Sequence, residues 1–492
     1  MMKRNIGQLI RLELLQLFRD RAFVGLMFLL FVLMCIATFN PFMYQSAKKQ
    51  EIVRQQEIVQ EADEQLAAQI DSLNRGLATY ENSYTLPTNG VRLTYNNHRI
   101  TWLPFKPLSI ISNGQGDIYS NYKKIVLYFD ESYEMATKEL ISPLEQHFGL
   151  LDLSFIWVYL LPLIIILVSF NILSEEKESG RLSLIASQPI KLSQWILARL
   201  SVRFLVIILS LILFTVVLLT LFQVSVFRNI EVFAQLILLL ILYAAFWFSL
   251  GFLINLLGYS SGKSLILLTN IWVLFVFLTP SIVNQLGEEI NPVSSRLAII
   301  NHHQTMYNEM ENNLEEELKG LYEMHPDWSS DDPVTKDLSN STGWNINYLA
   351  KQYIAQIKHR PVAVAYEQQI DARNEWLRRF RSLSPSMTVQ ESLSDLAGTS
   401  TRYYRSYLRQ AIEYAQKYRW YVFQGLFTNH SFTSNEIKSL PVFKFDSKQI
   451  PSTFLFDCAI LMTYLVLVVG VGVCLLMIRK NFHHNTLEKQ MN

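Results

Sequence analysis

Six long apolar runs dominate what this chain can fold into: Ala22 to Phe39, Ser154 to Leu173, Phe204 to Leu221, Val232 to Leu257, Leu265 to Val283 and Phe454 to Ile478. Each approaches or exceeds the roughly 20 residues that a helix needs to cross about 30 Å of hydrocarbon. Charge is almost absent inside them, Asp457 near one end being the exception. Elements of a large soluble core are shorter and more often broken by charge, so the runs are expected to be transmembrane helices. Composition agrees: 50% of the residues are hydrophobic, 17% are charged, and the formal net charge is +1. Without an excess of Lys and Arg no nucleic-acid partner is expected; membrane lipids are.

No small-x-small pattern follows the first run before Asn40, Pro41 and Phe42, and Met34 precedes Cys35, so a retained helix is expected there instead of a cleaved signal or lipid anchor. The cysteines Cys35, Cys458 and Cys474 all fall in or at the runs, leaving the polar segments without a disulfide. Basic residues sort the short connections to one side. Lys3, Arg4, Arg11, Arg19 and Arg21 precede the first run, and Lys177, Arg181, Lys191, Arg199 and Arg203 separate the second from the third. Lys263 lies between the fourth and fifth, and Arg479 and Lys480 follow the sixth. The positive-inside rule then predicts that both termini are cytoplasmic.

The fold class expected is an α-helical polytopic membrane protein with six transmembrane helices. A cytoplasmic elbow helix (1–21) precedes spans at 22–39, 154–173, 204–221, 232–257, 265–283 and 454–478. A coupling region (174–203) and a tail (479–492) are cytoplasmic, and two large insertions, 40–153 and 284–453, are extracytoplasmic. In the first insertion Ile52, Val59, Leu66 and Leu73 repeat every seventh residue, while Gln56 and Asp63 interrupt a full heptad seam. A helix of about 30 residues that packs against other elements is predicted, followed by a small mixed lobe. Its short strands are expected in TYENSYTLPTNGVRLTYN and GQGDIYSNYKKIVLYF, around a turn at Pro87, Asn89 and Gly90. The second insertion has helical apolar spacing, interrupted by the turn-rich HPDWSSDDPVTKDLSNSTG; Pro361 predicts a break or kink, and a further helix is expected from Thr401 to Gln424.

Catalytic signals are weak. GYSSGKS lacks the first glycine of a phosphate-binding loop, because Leu257 occupies that place before Gly262, so a turn with Lys263 at the headgroups is expected. His302 and His303 near Glu309 and Glu311 match no strong zinc spacing and read as a polar helix start. Ser382, Ser384 and Ser386 have no base implicated by sequence. Within the runs Asn171, Asn255 and Asn270 offer interhelical hydrogen bonds, while the carboxylates and histidines of an ion-coupled carrier are missing. Energy for any transport is therefore expected from outside the chain.

The second run exits into LSEEKESGRLSLIASQP. Glu175, Glu176 and Glu178 fall near the start of a short helix and favour its positive end, Gly180 permits a turn, and Arg181 begins an alternation of apolar anchors and polar surface. A solvated connector is the alternative. In full, SFNILSEEKESGRLSLIASQPIKLSQWILARL resembles the second-span exit and coupling region of permease subunits of the bacterial ABC-2 class of ATP-binding-cassette transporters. GQLIRLELLQLFRDR resembles their elbow helix, with Ile6, Ile10, Leu14 and Phe18 on an apolar face. RFRSLSPSMTVQESLSDLAGTSTRYYRSYLRQAIEY resembles the DUF3526-containing branch through Ser384, Pro385, Gln390, Leu396, Ala397, Gly398 and Thr399. With the six spans and large insertions, the likeness extends over nearly the whole chain.

That resemblance implies a permease subunit in a bacterial cytoplasmic (inner) membrane. It pairs with a second identical or related permease and recruits two cytoplasmic ABC ATPases, which bind the ATP and Mg. The chain itself then has no catalytic or metal site, and the Glu175, Glu176, Glu178, Gly180 and Arg181 segment serves docking or transmission. Export or extrusion is the expected activity. The alternatives are a nontransporting complex that does mechanical or envelope-assembly work through an envelope protein and, further off, an integral-membrane enzyme.

Overall fold

The computed structural model describes residues 2–80, 85–90, 92–93, 98–114, 120–125, 151–187, 192–224, 227–326, 341–427 and 430–491. The expectations for 126–150, for the turn-rich 327–340 and for 188–191 of the coupling region lie outside the described residues. Helix α1 (Met2–Arg19) stops at Asp20, whose extended backbone and side chain, accepting from Ala22 N at 2.9 Å, cap α2 (Arg21–Asn74). Helix α2 continues past Asn40, so a single helix of 54 residues joins the first apolar run to the predicted heptad helix. Pro41 lies inside it without ending it. The Gln, Glu, Ala and Lys that follow favour helix, so loss of one backbone bond at proline is absorbed.

A two-stranded antiparallel sheet pairs β1 (Arg99–Trp102) with β2 (Tyr122–Ile125), Arg99 opposite Ile125 and Trp102 opposite Tyr122. The second strand lies where it was expected. Its partner does not lie in the Thr79 to Asn96 stretch, whose described residues form a turn about Pro87 and an isolated bridge from Asn89 to Ser431.

Six helices are long and apolar enough to cross a membrane, giving a polytopic bundle with added helical and mixed regions. Besides α2 they are α3 (Leu153–Glu178), then, after the short α4 (Leu182–Ala186), α5 (Leu192–Leu221), α6 (Ile230–Leu257) and α7 (Ser261–Ile290). Beyond the bundle lie α8 (Arg296–Asn312), α9 (Leu314–Met324), α10 (Ser341–Phe380), α11 (Pro385–Ala397), α12 (Thr401–Phe427) and α13 (Ser434–Lys438). The sixth span opens α14 (Phe454–Met491). Helices α3 and α6 bury most of their apolar surface, whereas α7 and α14 leave most of theirs uncovered.

Close packing of α6 on α3 depends on a glycine. A Cβ placed on Gly251 would lie 2.6 Å from Ser169 Oγ. One turn on, Asn255 is 2% exposed and spans the same interface, donating to Ser169 O at 2.7 Å and accepting from Leu173 N at 2.9 Å. That is the interhelical role expected of it; Asn171 instead bonds Glu175 within its own helix, and Asn270 is exposed.

Two spans contain a π-turn just before a proline: Ile156–Leu160 before Pro162 in α3, and Leu274–Leu278 before Pro280 in α7. Proline has no N–H and crowds the carbonyl four residues back, so the helix widens locally and carbonyls come free. Val158 O accepts from Tyr243 Oη at 2.8 Å, and Trp272 Nε1 reaches Tyr159 O at 3.2 Å.

In the lobe beyond the bundle, Leu66 and Ile70 of α2, Ile354 of α10 and Val422 and Phe423 of α12 share one apolar core. Ile52 is buried too, so the first half of α2's polar extension packs instead of standing alone. Helix α10 runs through Pro361, so of the expected break or kink the break does not occur. Arg99 and Asp63 form a bidentate pair at 2.6 and 2.9 Å, Arg99 being 3% exposed. His302 lies within α8, not at its start, and the side chains of His303 and Glu311 lie outside the described residues.

Candidate functional site

The sequence places three acids, a glycine and an arginine at the exit of α3. Glu175 and Glu176 occupy the first turn of its terminal helical segment, Ser174–Glu178. Glu178 is at the far end, which corrects its expected place. Its carboxylate instead meets the start of α7, accepting from Ser261 N at 2.8 Å and Ser261 Oγ at 2.9 Å. An acid is favoured there by the unsatisfied N–H groups and positive end of that helix. Gly180 has φ +73° and open space around it, so it supplies the left-handed turn that lets the chain reverse.

Beneath this turn a chain of ion pairs joins separate elements. Glu13 of α1 is 4% exposed and accepts from Arg199 Nε at 2.7 Å and Arg203 Nε at 2.8 Å. Arg199 also gives Nη1 to Glu176 at 3.0 Å, and Arg203 gives Nη1 to the Val168 carbonyl. Arg181 Nε lies 2.9 Å from Glu176 and its Nη2 3.7 Å from Glu175. Thus α1, the exit of α3, the following turn and α5 are tied by alternating charges, the inner ones shielded from solvent and the outer ones, Glu175 and Arg181, exposed. Buried charges persist where each has a partner, and removing one strands the rest.

Glu13 was not legible as the centre of this junction, although its spacing gave a signal. It stands four residues before buried Leu17, on the inward stripe of α1. The apolar face expected from Ile10, Leu14 and Phe18 is rotated away from the bundle: Leu14 is half-buried, while Ile10 and Phe18 are 39% and 65% exposed. The side chain of Ile6 lies outside the described residues.

At the opposite end of the bundle, helix α11 is assembled from strong local signals. Ser384 is its N-cap, Pro385 its first residue, and Gly398, at φ +74°, its left-handed C-cap. Ser384 Oγ and Ser386 Oγ lie 2.5 and 2.6 Å from Phe275 O, in the π-turn of α7. Gln390 Nε2 donates to Ser154 Oγ at 3.1 Å at the start of α3, and Thr399 Oγ1 donates to Ser112 O at 2.9 Å. Ala397 is buried and Leu396 packs half-buried against the bundle core. The seven sequence-predicted residues therefore share one short helix and its cap, laid across the ends of α3 and α7.

Charges reinforce that lid. Arg381, 3% exposed, pairs with Asp457 of α14 at 2.5 Å, and Asp457 also accepts from Ser392 at 2.6 Å and Thr453 at 3.1 Å. Arg402 pairs with Asp395. Burial chiefly, with the Asp395 and Asp457 carboxylates adding and Arg381 and Arg402 opposing, pushes the Glu391 carboxyl up to about 7. Sequence alone flagged Asp457 only as a lone charge at a span end; its partner lies 76 residues away.

The Ser384 and Ser386 hydroxyls are engaged with a backbone carbonyl and with each other, and among the described residues no group of three His, Cys, Asp or Glu could hold a metal ion. Residues 296–446, which contain α8 to α13, match the family model described as a domain of unknown function, DUF3526. The likeness drawn over nearly the whole sequence thus has a family match over this region. No curated protein and no solved structure matches the chain.

Proposed function

We propose that this chain is the permease subunit of an ATP-driven transporter of the ABC-2 class, working in export or extrusion. The observation that carries the reading is the Glu13, Arg199, Glu176 and Arg181 chain, which joins an amphipathic N-terminal helix, the turn after the second span and the third span. Such a junction suits force arriving from a soluble partner, because a push on the exposed rim at Glu175, Arg181 and Leu184 is handed to two spans through shielded ion pairs. In this reading that rim and α1 face the cytoplasm of a bacterial inner membrane. Two ATPase subunits bind ATP and Mg below them, and a second permease, identical or related, completes the complex. The DUF3526 match and the multi-pass bundle support the reading.

The test is copurification with the co-expressed ATPase in native lipids, with and without nucleotide. Charge reversal of Glu175, Glu176 and Glu178 should abolish nucleotide-dependent association or ATPase stimulation while membrane insertion is retained. Full coupling in the triple variant, or no ATPase association in any nucleotide state, overturns the assignment. The lobe built on α2 and α8 to α13 favours one other reading, mechanical work on an envelope partner; ATP-dependent partner binding without vesicle flux would select it.

A further inference from the structure

A cavity of about 620 Å³ opens beside α11, between the ends of α3 and α7 and the helices α10 and α12. Its depth follows from α7. Pro280 lines it, 19 residues beyond Ser261, a rise of about 28 Å that nearly equals the hydrocarbon thickness. The cavity therefore sits at headgroup level on the membrane face opposite the α6–α7 turn. Val158, Tyr159, Val276 and Pro280 give it an apolar side along the spans. Next to that side Phe155 stacks on Tyr159 at 4.9 Å, and Phe155 and Phe277 are both exposed, as aromatic residues at a lipid interface are.

The other walls are charged, and most charges there are already matched. Arg378 pairs with Glu375 at 2.5 Å and Arg405 with Asp371 at 2.9 Å, while Arg381 and Arg402 have the partners given above. What is left over is specific. Buried Arg381 has no partner for Nε or Nη1, nor has Arg402 for Nε or Asn374 for Nδ2. These are donors, and Gln390 Oε1 is an unpaired acceptor. Arg409 and Glu391, both lining the space, form no ion pair among the described residues. A buried polar group left unpaired costs about 1–3 kcal/mol, and these atoms belong to side chains that line one space, so an occupant whose polar group reached them would offset that cost. The donors need an oxyanion, and the acceptors need an N–H group a few ångströms away.

We propose that this cavity binds the headgroup of a zwitterionic aminophospholipid. The phosphate takes the free N–H groups of Arg381 and Arg402 with Arg409, the primary ammonium takes Glu391 and Gln390, and the acyl chains leave past Tyr159 and Pro280, beside exposed Phe155 and Phe277, into the bilayer. Arginine suits this phosphate for its planar array of donors. Phosphatidylglycerol can offer Glu391 and Gln390 its hydroxyls but no positive charge, and a choline headgroup has no N–H to offer them.

The experiment uses the full chain, delipidated in a nonionic detergent, without ATP or ATPase, so its outcome is independent of the transport reading. Dihexanoyl phosphatidylethanolamine is titrated and retained lipid is counted by native mass spectrometry, beside the phosphatidylcholine and phosphatidylglycerol analogues and free phosphoethanolamine. The ethanolamine lipid should bind at least about tenfold more tightly than either analogue. Arg409→Ala, at an exposed and unpaired side chain, should weaken it about tenfold. Glu391→Gln should erase the preference over phosphatidylglycerol. Both variants should keep the parent's thermal stability at pH 5, which separates lost binding from lost folding. Equal retention of all three lipids, or unchanged binding in both variants, overturns the proposal. Phosphoethanolamine binding as tightly as the lipid overturns it too, since the site would then take a soluble zwitterion.

Discussion

Replacing Glu13 by alanine removes one carboxylate and leaves two arginines exposed to different losses. Arg199 keeps Glu176 at 3.0 Å, while Arg203 keeps only the Val168 carbonyl. Breaking a buried pair by deleting one partner costs about 3–5 kcal/mol, and the surviving bond of Arg199 places this case near the lower end, about 3 kcal/mol. Arg203→Ala strands no carboxylate, because Glu13 retains Arg199 at 2.7 Å, and should cost less, about 1–2 kcal/mol for one charged hydrogen-bonded pair. In the double variant the second change should cost almost nothing, giving a coupling energy of about 1–2 kcal/mol between residues 190 positions apart. The assay is reversible unfolding in mixed micelles, repeated at low and high salt. Because the groups are shielded, the coupling should change little with ionic strength. Strict additivity of the two substitutions, or a coupling that vanishes at high salt, would show that the clamp is not the closed junction described.

Other substitutions probe the remaining contacts. Ser384→Ala alone should cost about 1 kcal/mol through the lost N-cap, and changing Ser386 as well leaves Phe275 O without its hydroxyl partners and should lower stability by about a further 1–3 kcal/mol. Gly251→Val should cost at least about 1–3 kcal/mol by driving α6 off α3, and Gly251→Ala should be rescued by Ser169→Gly, which removes the side chain in the way; no rescue would refute the contact. Glu391 makes stability pH-dependent: its folded pKa of about 7 exceeds the ordinary 4.5, so the folded state holds the proton more tightly. Its stabilising effect is full below about pH 4.5 and lost as pH rises to about 7, by about 3 kcal/mol at most; Glu391→Gln should flatten that part of the pH profile. Asp63→Ala strands buried Arg99 and should cost about 3–5 kcal/mol, read as early loss of tryptophan signal on heating.

The bundle was legible in sequence because twenty apolar residues in a row have few other uses, and α11 because Ser, Pro and Gly stand at its N-cap, first position and C-cap. The helical seam at Leu66 was legible from its seven-residue repeat with Ile52. Less visible were features set by partners distant in sequence. Pro41 and Pro361 both carry the local signal of a break, yet helix formers and packing on either side outweigh one missing bond. Glu178 reads as the start of its own short segment, while its carboxylate serves the N-terminus of α7, 83 residues on. Arg199 and Arg203 could be seen entering a span, but their choice of Glu13 depends on where α1 folds back, which no local pattern specifies. Arg381 and Asp457 look like stray charges until α11 brings them together.

The uninterrupted run of α2 through Pro41 makes it a lever. About 33 residues lie beyond that proline, an arm of about 50 Å, and near its tip Asp71 accepts from Ser434 at 3.2 Å. A tilt of about 10° in the membrane segment would sweep the tip through about 9 Å on that arm length. With Glu13 of α1 fastened to α5 just before the lever's base, a small rotation passed on to that base would be enlarged along the arm.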